Sequence, residues 1–83
     1  MAQAAPAPTK ACETARKKID REQKSIAALA DGVARDRKAR ETCTSRVTCS
    51  RLDSSIESAE RRQSRHEARM LRFREEVVTA CGA

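Results

Sequence analysis

Four cysteines divide an 83-residue chain almost symmetrically, with Cys12 and Cys81 standing 31 and 32 residues outside the inner pair Cys43 and Cys49. An even cysteine count in a short chain favours disulfides over free thiols, and therefore an oxidising compartment. The apolar inventory makes such staples necessary. There is one Phe, no Trp and no Tyr, and after Met1 only a dozen Leu, Ile, Val, Met and Phe side chains. A closed globular core cannot be built from so little, and small domains of this kind depend on covalent crosslinks.

Hydrophobic spacing indicates what the cysteines staple. From Thr9 to Thr42, Cys12, Ile19, Ile26 and Val33 recur at the a position of a heptad, with Ala15 and Leu29 at d. Glu22 and Asp36 also fall at d, and Arg40 at a, so the apolar stripe is interrupted. A second beat sets Cys49, Ile56, Gln63, Met70 and Val77 at a, and Leu52, Ala59, His66, Phe73 and Ala80 at d. This is the period of a helix and not of a strand, and it predicts two helices of about thirty residues.

Local punctuation supports the division. Thr9, after Pro8, suits an N-cap with Glu13 in the first turn, and Ser50 with Asp53 suits the start of the second helix. The segment from Cys43 to Cys49 is rich in β-branched and hydroxyl residues, poor helix formers that read as the turn. Gly82 stands where a helix commonly ends in a left-handed residue.

Helix length then selects the disulfide pairing. Thirty helical residues span about 45 Å, too far for Cys12 to reach Cys43, or for Cys49 to reach Cys81. Pairing Cys12 with Cys49 fails for the same reason. Only Cys12–Cys81 with Cys43–Cys49 remains, and the fold class is all-α: an antiparallel two-helix hairpin with a coiled-coil-like seam. Residues facing each other should have numbers totalling about 93, so that Ile19 meets Phe73, Val33 meets Ala59, Leu29 meets Gln63 or Ser64, and Ile26 meets His66 or Glu67. Residues 1–8 are expected to be a flexible Ala/Pro tail and 9–83 a single domain. The tail holds an Ala-Gln-Ala triplet of the kind that precedes an export-signal cleavage site, so a periplasmic or secreted location is expected.

In shape this arrangement resembles disulfide-stapled helical hairpins such as the plant antimicrobial α-hairpinins and the mitochondrial twin-cysteine hairpins. Those families carry twin Cys-x3-Cys or Cys-x9-Cys motifs, whereas the inner pair here is Cys-x5-Cys and the outer cysteines stand alone. The resemblance therefore implies a hairpin and transfers no functional residue.

Chemistry is sparsely represented. A zinc ion needs its ligands within about 2.3 Å, which two cysteine pairs at opposite ends of a rod cannot supply. No metal and no cofactor is expected. His66, at a d position, reads as a polar seam filler, and no nucleophile stands beside it, so neither enzymatic activity nor a small-molecule substrate is expected.

The most biased surface lies on the second helix, where Arg61, Arg65, Arg69 and Arg72 recur at i, i+4, i+8 and i+11 among further arginines, in a chain of net charge +6. Leu71 and Val78 fall outside the seam. On the first helix, Ala27, Ala30 and Ala34 make a smooth face around Gly32. These features lead to an exported, non-catalytic interaction module of inhibitor, immunity or adaptor type. Its expected partner is a protein, met by Arg61, Arg65, Arg69, Leu71 and Arg72, and a homodimer is a second way of covering the same surface. The alternative is a cationic hairpin that binds anionic membranes or polyanions. Nucleic acid is a weaker candidate, because no aromatic residue is placed for stacking on bases.

Overall fold

The computed structural model describes residues 9–82, and the tail at 1–8 and Ala83 lie outside the described residues. Helix α1 runs Lys10–Thr42 and helix α2 runs Arg46–Cys81, packed antiparallel as a hairpin. At 1.5 Å per residue both rods are about 50 Å long. The disulfides are Cys12–Cys81 and Cys43–Cys49, with Cα–Cα distances of 4.8 and 5.7 Å. The hairpin is thus clasped at its open end and at its turn. No described helix is long and apolar enough to cross a membrane.

Capping at the clasped end follows from residue chemistry. Thr9 Oγ1 accepts the Cys12 amide at 3.1 Å, and Glu13 lies in the first turn against the positive end of the helix dipole. The same hydroxyl donates to the Ala80 carbonyl at 3.5 Å, tying the start of α1 to the end of α2. Gly82 closes α2 at φ +78°, a value that favours glycine, and its amide reaches the Val78 carbonyl at 3.1 Å. Its ψ of 145° makes this an extended exit from the helix and not the left-handed helical residue expected there.

The turn is shorter than the residue types suggest. It comprises only Cys43, Thr44 and Ser45, and α2 begins at Arg46 with Ser45 as its N-cap, in place of Ser50. Ser45 accepts the Thr48 amide on its side chain at 3.4 Å and the Cys49 amide on its carbonyl at 2.9 Å. Val47 and Thr48 are weak helix formers, but the penalty is only about 0.5 kcal/mol per residue. Crosslinking Cys49 back to Cys43 and pairing Arg40 with Asp53 at 2.8 Å outweighs it. Asp53 thus reaches across to α1 instead of serving the helix start.

Burial follows the heptads closely. On α2 the ten expected a and d residues, from Cys49 to Ala80, are all half-buried, while apart from Cys81 the rest of the helix is exposed. On α1 the same face is deeper: Cys12, Ala15, Glu22 and Val33 are buried and Ile19, Ile26 and Leu29 half-buried, whereas Arg40 at an a position turns outward. Two helices give each seam residue neighbours on one side only. The interior is therefore a line of contacts and not an enclosed core.

Charged residues flanking the seam fix its register. Lys18 pairs with Glu76 at 3.2 Å and Arg37 with Glu60 at 2.9 Å, joining g to g and e to e positions as antiparallel helices require. All four side chains are about half exposed, so each pair is worth well under 1 kcal/mol and contributes alignment more than stability.

With so thin an interior, the long clasp should dominate stability. Replacing Cys12 and Cys81 by Ser is expected to lower the unfolding free energy by about 4 kcal/mol, and replacing Cys43 and Cys49 by about half that. Urea titrations followed by circular dichroism would measure both, and equal effects from the two pairs would contradict the ordering.

Candidate functional site: a basic helix face around a polar seam layer

Most of the polar residues that interrupt the heptads are bonded across the seam. Glu22 is the most buried charged residue, its side chain 11% exposed, and its Oε2 is hydrogen-bonded to Nδ1 of His66, itself 20% exposed. The residue expected to face His66 is Ile26. Instead it reaches a carboxylate one turn away on α1, because Ile26 offers it no polar atom and a buried carboxylate demands a donor. Arg69 Nη1 stands 3.9 Å from the other oxygen of Glu22. Further along, Asp36 accepts a bond from Ser55 Oγ at 2.8 Å. No buried side-chain nitrogen or oxygen among the described residues is left without a partner.

Around this layer the arginines of α2 divide by function. Arg61 is bound to Glu57 on its own helix at 3.0 Å, and Arg69 is shared with Glu22. Arg62, Arg65 and Arg72 make no ion pair among the described residues. Arg62, Arg65, His66 and Arg69 together wall a hollow of about 140 Å³ on the surface of the hairpin.

All five residues expected at the contact surface are exposed. Successive residues turn by about 100° around a helix, which gathers Arg61, Arg65, Arg69 and Arg72 within a quarter of its circumference. The same rotation sets Leu71 about 100° from Arg72, so the structure does not join it to the arginine row. Leu71, 61% exposed, lies with Val78, 58% exposed, on the other flank of α2. Arg62 is the residue that the row at i, i+4 and i+8 leaves out, although it borders the same hollow as Arg65 and Arg69. Its heptad position, g like that of Arg69, is the signal that would have found it.

Lys18 completes the charged surface near the clasp, its ammonium 5.4 Å from the centre of the Phe73 ring and bonded to Glu76. The cation covers the only aromatic ring in the chain. Both cysteine pairs are consumed in disulfides. What the arrangement offers is a rigid display of guanidinium groups, each a planar fork of donors matched to carboxylate or phosphoryl oxygens.

Compared with known proteins, the chain matches no family model, no curated protein and no solved structure.

The Glu22 and His66 pair should behave as a unit. Glu22→Leu alone is expected to cost about 1–3 kcal/mol by leaving His66 without its partner, whereas Glu22→Leu with His66→Leu should recover most of that loss. Denaturant unfolding of the two single variants and the double variant gives the coupling energy, and strict additivity would show that the bond contributes nothing.

Proposed function

We propose that this protein is an exported, non-catalytic interaction module, of inhibitor, immunity or adaptor type, which uses the arginine face of α2 to bind an acidic surface of a protein partner. The observation that carries this reading is the clustering on one helix face of arginines that make no ion pair among the described residues. Three other cations are paired across the seam, Lys18 with Glu76, Arg37 with Glu60 and Arg40 with Asp53. Arg62, Arg65 and Arg72, adjacent on one side, are not so used. Like charges gathered on one face repel one another, and a partner bearing carboxylates relieves that repulsion while forming bidentate bonds.

Rigidity suits the same role. A hairpin clasped at both ends holds these side chains on a straight rod, so little backbone order has to be established on binding. Two disulfides are compatible with export, since such bonds persist in the periplasm and outside the cell.

Arg69 touches Glu22, so reversing its charge would disturb the seam as well as the surface. Arg65 and Arg72 give the cleaner test. Arg65→Glu with Arg72→Glu is expected to abolish co-purification of the native partner from the source extract, with helical circular dichroism and thermal midpoint unchanged. Undiminished co-purification by a folded double variant would remove the arginine face from the interface. Binding that instead followed polyanions or anionic vesicles and collapsed between low and moderate salt would favour the charge-only alternative.

A further inference from the structure

Two hollows lie end to end on one flank of the hairpin. The larger, about 830 Å³, opens at the clasped end, where Ala11, Ala15 and Ala80 supply apolar lining and Lys10, Lys18 and Arg72 a cationic rim. The smaller, about 140 Å³, continues it along α2 and is walled by Arg62, Arg65, His66 and Arg69. They share a flank because Ala11, Lys18, Arg62 and Arg69 all occupy g positions of their heptads, and Arg65 and Arg72 the neighbouring c positions. On α1 the same flank continues as Ser25, Ala28 and Gly32, and a Cβ built on Gly32 would meet nothing within 4 Å. From Ala80 to Arg62 the channel runs for about 27 Å, the length of a helix of five turns.

The geometry points to this channel as the seat of a third helix: an acidic amphipathic helix from the partner protein, laid along α1 and α2 to complete a three-helix bundle. The inference rests on the proposed function and specifies the shape of the partner. Small side chains on the floor let a backbone approach closely, and the alanines at the clasped end accept apolar knobs. Arg62, Arg65, Arg69 and Arg72 follow one another at intervals of three or four residues, the spacing at which carboxylates recur along one edge of a helix. Glu75 and Glu76 also line the larger hollow, but Glu76 is already held by Lys18.

A second copy of the chain fits less well. The opposite flank carries a hollow of about 350 Å³ walled in part by Asp53, Glu57 and Glu60. Those carboxylates are taken by Arg40, Arg61 and Arg37 within the same molecule, so they are not free to answer another copy's arginines. A nucleic acid would leave the alanine lining unused and finds no exposed aromatic ring to stack on.

The test uses a synthetic helical peptide of about eighteen residues, with glutamates at heptad spacing along one edge and alanine and leucine on the adjoining face. It is titrated into the oxidised protein by calorimetry, beside a lysine-edged version, heparin and phosphatidylglycerol vesicles. Binding of the glutamate peptide alone is expected. Ala28→Trp, which fills the channel from an exposed position, and Arg62→Glu with Arg65→Glu should each weaken it by about tenfold or more, with circular dichroism unchanged. Leu71→Ser, on the opposite flank, should leave affinity within about twofold. Absence of peptide binding, indifference to Ala28→Trp, or tighter binding of heparin or vesicles than of the peptide would overturn the third-helix inference. Native-partner capture tells the two readings apart: loss with Arg65→Glu and Arg72→Glu but retention with Ala28→Trp overturns the channel and keeps the arginine face, whereas retention in both variants removes both.

Discussion

The covalent joining of Cys12 to Cys81 is the constraint on which the rest of the molecule depends. It links residues 69 positions apart in sequence and closes nearly the whole chain into a loop. Because the entropy of closing a loop rises with its length, this crosslink removes far more freedom from the unfolded chain than the short bridge at the turn. Cys12 is the most buried side chain among the described residues, 2% exposed, so the clasp is packed into the end of the seam as well as bonded there. With both ends held, the two rods need only a narrow stripe of contacts between them.

A seam relieved of most of the stabilising work can carry polar residues. In a bundle held together by packing alone, Glu22, Asp36, Gln63 and His66 would be a serious loss of apolar area. Here Glu22 with His66, and Asp36 with Ser55, form cross-helix bonds that prefer one register, since a slip of either helix would strand a buried carboxylate. The flanking pairs Lys18 with Glu76 and Arg37 with Glu60 select the same alignment. Register precision has a functional consequence, because it decides which α1 side chains lie opposite Arg62, Arg65 and Arg69.

The hairpin is consequently two-sided. On one flank Arg37, Arg40 and Arg61 are paired with carboxylates within the molecule; on the other, Arg62, Arg65 and Arg72, which make no ion pair among the described residues, border two hollows. Such an asymmetry would orient the proposed acidic partner before contact. The proposed recognition and the proposed third helix both follow from this separation of charge on an otherwise plain rod.

Amino-acid spacing by itself determined that there are two helices, which residues form their inner faces, and which cysteines pair. Heptad period and helix rise are local properties of the backbone, and a 45 Å rod leaves the cysteines no second choice. The Ala/Pro tail lies outside the described residues. The helix start at Ser45 was hidden because the crosslink and the Arg40 to Asp53 contact override the poor propensities of Val47 and Thr48. The Glu22 to His66 bond, the use of Arg61 by Glu57, the separation of Leu71 from the arginine row and the channel beside Arg62 were decided only in the folded molecule. Each depends on distances between side chains on different helices or different turns, and residue order along a chain does not contain those distances.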